Sequence, residues 1–257
     1  NMIHATAIVD EKVKLGKNVS IGPYSIIGPE VEIGAGTEIG PHVVIQGPTY
    51  IGEKNKIFQF SSIGEAPQDK KYNGEPTQLV VGDRNVIREY VTFNRGTADG
   101  TGKTVIGCDN LFMAYCHVAH DCIVGNNTVF ANAASLGGHV EVGDFAILGG
   151  FTTVHQFTHI GGQSLCGQGS VVTQDIPPFS IAAGNRARAI GINKEGLRRK
   201  GFSADLIRAL HQSFRELLKS KVTKQVALEK LEPLCDLYPE VAEFVNFIKN
   251  SKRGIAQ

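Results

Sequence analysis

Four histidines stand close together in the middle of the chain, and their spacing suits acid–base chemistry. They are His117, His120, His139 and His155. Gly138 follows His120 by eighteen residues, and Gln156 follows Gly138 by the same interval. An imidazole can act as a general base near neutral pH, and a glycine presents its backbone N–H without a side chain in front of it. If this interval brings the residues together, they form a base beside an amide donor, the arrangement that acyl transfer requires.

The interval matters because the chain repeats every six residues. Apolar residues recur at this period through 3–63 and again through 106–172, and glycine follows many of them. The period fits neither a helix nor a flat strand, and it is typical of a hexapeptide parallel β-helix, in which three units form one triangular coil. Since parallel strands stack about 4.8 Å apart, His120, Gly138 and Gln156 should form one column.

Two interruptions break the repeat. Continuing the six-residue count after Ile63 would place Asp69 and Glu75 in the core, where unpaired charges are too costly. We therefore predict two inserted loops, at about 65–79 and about 94–104. Counted around these loops, five units share one face, namely those at Ile63, Phe93, Val118, Leu136 and Val154. Both loops should emerge beside the histidines, where long loops are more often functional than idle; solvated capping of a subunit edge is the alternative.

The repeat fades before a helical composition begins at Glu195. In that tail, Ser203 suits a helix N-cap and Pro239 suits a first helical turn. The predicted fold is mainly β: a left-handed parallel β-helix over 1–190 and a C-terminal α-helical domain over 191–257. Helices at this end would cover the edge of the last coil.

Composition excludes several classes of function. The chain has 26 basic and 25 acidic residues, so its charge does not favour nucleic-acid binding or membrane association. Its first ten residues have neither a basic start nor a long apolar core, and we expect no signal peptide and no transmembrane span. The five cysteines are odd in number and fall mostly in the repeat, which favours reduced thiols in a cytoplasmic protein.

Several blocks together resemble one family closely. They read HVAHDCIVGNNTVFANAASLGGHV, IGEAPQDKKYNGEPT, NRGT, GGFTTVHQF and GINKEGLRRKGFS. Hexapeptide repeats occur in many acyltransferases and in some carbonic anhydrases, whereas this combination is similar to the UDP-N-acetylglucosamine O-acyltransferases of lipid A biosynthesis. The resemblance implies a homotrimer with active sites between subunits. It also implies transfer of a 3-hydroxyacyl chain from acyl carrier protein to the sugar 3-hydroxyl, with no metal and no cofactor beyond the phosphopantetheine of the donor.

The resemblance also assigns roles to residues. It makes His120 the general base, Asp121 its orienting partner and Gly138 the donor to the thioester oxyanion. Positions that would face the substrates are Asp69, Lys71, Asn94, His117, His139, His155, Gln156, Asn193, Glu195, Arg199 and Lys200. The basic run from Arg198 to Lys200 would equally suit steering of the acidic carrier protein, or it is a solvated helical face.

Two residues depart from the family's usual pattern. Asn94 stands where many members have histidine before RGT, which bears on the choice between the sugar and its 3-amino analogue. Gln168 stands where members with long acyl chains have glycine, and a long side chain there would shorten an acyl groove. We therefore predict a donor chain of about ten to twelve carbons and not fourteen, with Gln168 as the ruler.

Three other interpretations compete with this one. The N-acyltransferase of the same pathway shares the repeat, but it usually carries a separate domain before the repeat, whereas here the repeat begins almost at residue 3. A hexapeptide-repeat metal enzyme would use His117 and two other histidines as zinc ligands. A non-enzymatic solenoid would show neither clustered histidines on one face nor loops that converge on that face. The histidines themselves could instead line a subunit contact or a corner.

Overall fold

A computed structural model covers residues 1–257 and shows a triangular prism built from short strands. Three sheets form its faces. Sheet A contains Met2–Ile3, Ser20–Ile21, Glu38–Ile39, Lys56–Ile57, Val86–Ile87, Leu111–Phe112, Val129–Phe130, Ile147–Leu148, Leu165–Cys166, Ser180–Gly184 and Ala187–Ile192. Sheet B contains Ile8–Val9, Ile26–Ile27, Val44–Ile45, Ser62–Glu65, Thr92–Asn94, His117–Val118, Ser135–Leu136, Thr153–Val154 and Val171–Val172. Sheet C contains Lys14–Leu15, Val31–Ile33, Thr49–Ile51, Gln78–Val81, Lys103–Ile106, Ile123–Val124, Glu141–Val142 and His159–Ile160.

The register of sheet B is the one that the repeat predicts. Five apolar residues pair in succession across the two interruptions, namely Ile63, Phe93, Val118, Leu136 and Val154. All five are buried, and with the equivalent residues of sheets A and C they fill the inside of the prism. The fold is the left-handed parallel β-helix predicted from the sequence. Only the last pair of strands in sheet A is antiparallel.

The glycines after the inward-facing apolar residues are not needed for tight corners, where glycine is usually favoured. Gly16, Gly22 and Gly34 do not have positive φ angles; a Cβ on them would lie only 2.5–2.7 Å from the backbone of the next coil. Close stacking of the coils therefore requires glycine at these positions. The left-handed corner positions are instead filled mainly by larger residues, such as Tyr24 and His139.

Both interruptions form loops on sheet B. Strand pairing extends to Glu65 and resumes at Gln78, so the first loop, here called loop 1, spans 66–77. The second, loop 2, spans 95–102, between the strands that end at Asn94 and begin at Lys103. Each loop leaves sheet B and returns to sheet C, at the same corner of the prism as His120. We call this edge the B–C corner.

Four helices follow the last strand. They are α1 (Lys194–Arg199), α2 (Ala204–Leu218), α3 (Lys224–Leu237) and α4 (Pro239–Asn250). The hydroxyl of Ser203 accepts a hydrogen bond from the N–H of Leu206 and caps α2, and Pro239 is the first residue of α4. Their apolar faces form a second core, which includes Phe179 of the last coil. No helix in the structure has both the length and the apolar character needed to cross a bilayer.

The cysteines allow a direct test of packing. Cys116, Cys122 and Cys166 are free and buried, and burial raises the pKa of each thiol to about 12. Since the thiolate is the reactive form, we expect iodoacetamide at neutral pH to leave these three unmodified in the folded protein. Cys108 and Cys235 are half-buried and should be the only sites of modification. Peptide mass analysis checks this, and unfolding in guanidinium should expose all five.

Candidate active site

The imidazole of His120 and the carboxylate of Asp121 form a hydrogen-bonded pair at the B–C corner. The distance from His120 Nδ1 to Asp121 Oδ2 is 2.9 Å. The His120 side chain is 15% exposed, while that of Asp121 is fully buried. Because the carboxylate can only accept this hydrogen bond, we assign the ring proton to Nδ1, which leaves the lone pair of Nε2 free. The imidazole is therefore set up to accept a proton at Nε2.

Loop 2 surrounds the carboxylate of Asp121. The N–H of Thr97 donates to Oδ1 at 3.0 Å, and its hydroxyl donates to Oδ2 at 2.6 Å. The N–H of Thr101 also donates to Oδ1, at 3.2 Å. Burial acts to raise the pKa of Asp121, but the hydrogen bonds from Thr97 and His120 outweigh burial and lower it below its ordinary value. The carboxylate is thus held in its ionised form beside the imidazole.

Gly138 lies directly above the His120 ring. A Cβ built on this glycine would lie 2.5 Å from Cε1 and 2.7 Å from Nε2 of the imidazole, so a larger residue would displace either the ring or the backbone. The residue is buried, yet its N–H donates no hydrogen bond within the chain. Buried N–H groups without an acceptor are rare. This one is available to a ligand beside the free nitrogen of His120.

Two further histidines border the pair. The His139 ring stacks on Phe157 with centroids 4.3 Å apart, which leaves its Nε2 atom 3.7 Å from Asp121 Oδ2. Nδ1 of His117 is hydrogen-bonded to the hydroxyl of Thr92 at 2.6 Å. Burial, and then repulsion from His120, lower the pKa of His117, so this ring is neutral at neutral pH.

The remaining residues of this edge are more exposed. His155 and Gln156 lie exposed two coils above His120, and Nδ1 of His155 is within 3.0 Å of the Gln156 carbonyl oxygen. In loop 1, Lys71 is exposed, and Asp69 is half-buried and accepts a hydrogen bond from the Lys71 N–H at 2.9 Å. Their substrate contacts stay predictions.

Asn94 lies at the end of its strand in sheet B and is only 3% exposed. Its Oδ1 atom is buried and has no hydrogen-bond partner. A buried amide oxygen without a hydrogen-bond partner is unusual. Because so little of this side chain is exposed, only a small part of it is accessible to a substrate.

The tail residues do not join this cluster within one chain. Asn193 caps α1 by accepting a hydrogen bond from the N–H of Gly196, and Glu195 is paired with Arg198 and Arg199 on the exposed side of that helix. The ammonium group of Lys200 lies 4.1 Å from the ring centroid of Phe145, where the chain turns from sheet C to sheet A. Asn193, Glu195, Arg199 and Lys200 therefore border a different corner from His120.

Gln168 is also separate from the imidazoles. It is exposed and follows the sheet A strand Leu165–Cys166, at the corner between sheets A and B. It stands three coils above His120, roughly 14 Å along the prism at about 4.8 Å per coil. A chain that starts at His120 would have to run along sheet B to meet it.

His120, Asp121 and His139 place possible ligand atoms within 4.8 Å of one another, which raises the question of a metal. Both oxygens of Asp121 already accept hydrogen bonds from loop 2, and Oδ2 also accepts one from His120. The oxygen atoms that could bind a metal are thus already engaged in hydrogen bonds, as in an acid–base pair. The expectation that the site holds no metal stays a prediction.

Sequence reasoning missed the groups that hold the pair. Thr92 is hydrogen-bonded to His117, and Thr97 and Thr101 are hydrogen-bonded to Asp121. Threonine is common on strand surfaces and in loops, so its presence alone carried no signal. The eighteen-residue count could have placed Thr92 beneath His117 once loop 2 was treated as an insertion, since Phe93 and Val118 were already paired.

The chain forms a triangular prism of hexapeptide coils, and it holds an imidazole–carboxylate pair beneath a free glycine N–H. This fold and this site define the class of hexapeptide-repeat acyltransferases. Comparison with known proteins agrees. The family described as Udp N-acetylglucosamine O-acyltransferase, Domain 2, matches residues 175–256, and the bacterial transferase hexapeptide (six repeats) family matches 12–47 and 103–138.

Relatives match along nearly the full length. The acyl-[acyl-carrier-protein]–UDP-N-acetylglucosamine O-acyltransferases of Thiobacillus denitrificans and Halorhodospira halophila are 54% and 53% identical, each over 98% of both chains. The solved structure of LpxA from Acinetobacter baumannii has a TM-score of 0.97 at 44% identity and covers 100% of both chains. The chain belongs to the acyl-[acyl-carrier-protein]–UDP-N-acetylglucosamine O-acyltransferase family. This favours O-acyl transfer over the N-acyltransferase and metal-enzyme interpretations.

Proposed function

We propose that this chain transfers a 3-hydroxyacyl group from acyl carrier protein to the 3-hydroxyl of UDP-N-acetylglucosamine, the first step of lipid A biosynthesis. The observation that carries the proposal is the unpaired N–H of buried Gly138 above the His120 ring. A base and an oxyanion donor this close can act on one reacting carbon.

The chemistry follows from these two groups. Nε2 of His120 takes the proton of the sugar hydroxyl as its oxygen attacks the thioester carbonyl carbon. The carbonyl oxygen becomes an oxyanion that accepts a hydrogen bond from the Gly138 N–H. Collapse of this intermediate forms the ester and breaks the carbon–sulfur bond, and the departing phosphopantetheine thiolate takes the proton from the imidazolium. Asp121 stabilises the positive imidazolium throughout, and no acyl-enzyme, metal or bound organic cofactor is needed.

We further propose a homotrimer in which each site lies between subunits. Support comes from the separation, within one chain, between the His120 pair and the tail residues: Lys200 lies over Phe145 at another corner. In an assembly, the tail of one subunit would border the imidazoles of the next, where Arg199 and Asn193 would meet the nucleotide. The exposed basic residues near α1 would also attract the acidic carrier protein, in the cytoplasm.

Donor length is tested by a ladder of 3-hydroxyacyl carrier proteins. We expect an optimum of about ten to twelve carbons, because the Gln168 side chain would close the groove to a longer chain. Gln168→Gly should move the optimum toward longer donors with little change in KM for the sugar. A preference of the parent protein for the fourteen-carbon donor would contradict the assignment, and so would an unchanged optimum in Gln168→Gly.

The acceptor is tested in the same assay with UDP-N-acetylglucosamine and its 3-amino analogue in parallel. Transfer to neither would refute the proposed function. Transfer to the amine alone would keep the fold and the base but replace the acceptor, and it would direct attention to Asn94, whose Oδ1 atom lacks a partner.

A further inference from the structure

We propose that loop 2 positions the active site through two buried side chains, here called its two arms. Thr97 holds the Asp121 carboxylate in the orientation that accepts a hydrogen bond from His120, and Arg95 anchors loop 1. This rests on the proposed function, because it explains what supports the base. It gives Arg95 and Thr97 a role inside the protein, in support of the site.

The first arm fixes the plane of the carboxylate. Oδ1 of Asp121 is held by the N–H groups of Thr97 and Thr101, and Oδ2 accepts the Thr97 hydroxyl at 2.6 Å. A Cβ on Gly100 would lie 2.5 Å from Oδ2, so the loop packs directly on the carboxylate. Thr97 itself is only 5% exposed. With these contacts in place, the further hydrogen bond that Oδ2 accepts comes from Nδ1 of His120.

A competing partner makes this orientation matter. His139 Nε2 lies 3.7 Å from the same Oδ2 atom, against 2.9 Å for His120 Nδ1. A modest rotation of the carboxylate would exchange one imidazole for the other. The Thr97 hydroxyl opposes that rotation, and without it His120 would lose the acceptor that sets its tautomer.

The second arm reaches the other loop. Arg95 is 8% exposed; its Nη1 donates to the Gly64 carbonyl at 2.6 Å and its Nη2 donates to the Tyr72 hydroxyl at 2.8 Å. That hydroxyl donates in turn to the carbonyl of Glu75 at 2.7 Å. Gly64 belongs to the strand that leads into loop 1, and Tyr72 lies in loop 1 itself, which carries Asp69 and Lys71. Two nitrogens of the guanidinium therefore link loop 2 to loop 1, while Nε is buried without a partner.

The two arms predict different kinetic defects. Thr97→Val removes the hydroxyl, which donates to Asp121 and also accepts from the Gly100 N–H at 3.1 Å; that N–H keeps the Thr97 carbonyl as an acceptor. We expect kcat to fall about tenfold to a hundredfold with KM for the sugar nucleotide unchanged, the loss typical of a hydrogen bond to a charged group. Thr97→Ser keeps the hydroxyl and should restore most of kcat. Thr158→Val is the matched control, because Thr158 is buried and its hydroxyl has no partner.

Arg95→Met should instead raise KM for the sugar nucleotide and leave kcat nearly unchanged. It should also speed tryptic cleavage after Lys70 and Lys71, which are exposed in loop 1, a readout that does not depend on activity. Thermal unfolding of each variant shows whether the fold survives.

The proposal is overturned if Thr97→Val keeps the parental kcat, if Thr97→Ser is as impaired as Thr97→Val, or if Arg95→Met leaves both KM and proteolysis unchanged. The kinetic results require a parent protein that transfers acyl groups to the sugar nucleotide. A parent that does not would refute the proposed function itself, and the cleavage rate in Arg95→Met would still report on the loop anchor.

Discussion

Replacing His120 by alanine is expected to lower kcat by about 10²–10⁴, the usual contribution of a positioned general base. The imidazole is the only group whose free ring nitrogen lies beneath the Gly138 amide, and its other nitrogen is engaged by a buried carboxylate. Binding of UDP-N-acetylglucosamine should change far less, because the loss falls on proton transfer. The measurement is steady-state acyl transfer from a 3-hydroxyacyl carrier protein, together with calorimetric binding of the sugar nucleotide.

His159→Ala is a suitable control for this variant. His159 also lies on the surface of the prism, but it is on sheet C and about half exposed, and its Nδ1 atom lies 3.7 Å from Glu141. Its removal should leave kcat at the parental value. The kcat of Asp121→Asn should lie between those of His120→Ala and His159→Ala, since the amide keeps the shape of the carboxylate but not its charge. If His120→Ala transferred acyl groups at the parental rate, the base would have to be assigned elsewhere.

The sequence predicts the backbone of this protein well, for a physical reason. A six-residue period leaves one geometry in which every apolar residue points inward, and eighteen residues then return to the same face. The pairing of Val118 with Leu136 follows from that count alone, and the pairing of Phe93 with Val118 follows once loop 2 is counted as an insertion. The same register places Gly138 above His120, because each of them lies two residues after one of the paired strand residues Val118 and Leu136.

The support of the site could not be predicted in the same way. Thr97 and Thr101 bind Asp121 from an irregular loop, where no period relates sequence distance to spatial distance. The place of Lys200 over Phe145 depends on how the tail packs against the prism, which the repeat does not encode. The repeat therefore determines where the reacting groups stand, while their orientation comes from the loops.

Gly138→Ala is expected to be nearly as damaging as loss of the base. The backbone of Gly138 has no positive φ, so alanine causes no strain of its own, but its Cβ would overlap the His120 ring at 2.5 Å from Cε1. Either the imidazole swings away from the reacting hydroxyl or the amide moves from the oxyanion. Loss of one oxyanion donor typically costs about 10²–10³ in kcat, and displacement of the base would add to it.

Gly150→Ala provides the matched comparison. Gly150 holds the equivalent place after a sheet A strand, and a Cβ there would meet its nearest atom, the Asn132 carbonyl oxygen, at an ordinary 3.5 Å. We expect this variant to unfold at the parental temperature and to keep the parental kcat. Parental kcat in Gly138→Ala as well would mean that the oxyanion finds its donor elsewhere. A large loss confined to Gly138→Ala, in a protein that still binds the sugar nucleotide, would place the reacting carbon between that amide and His120.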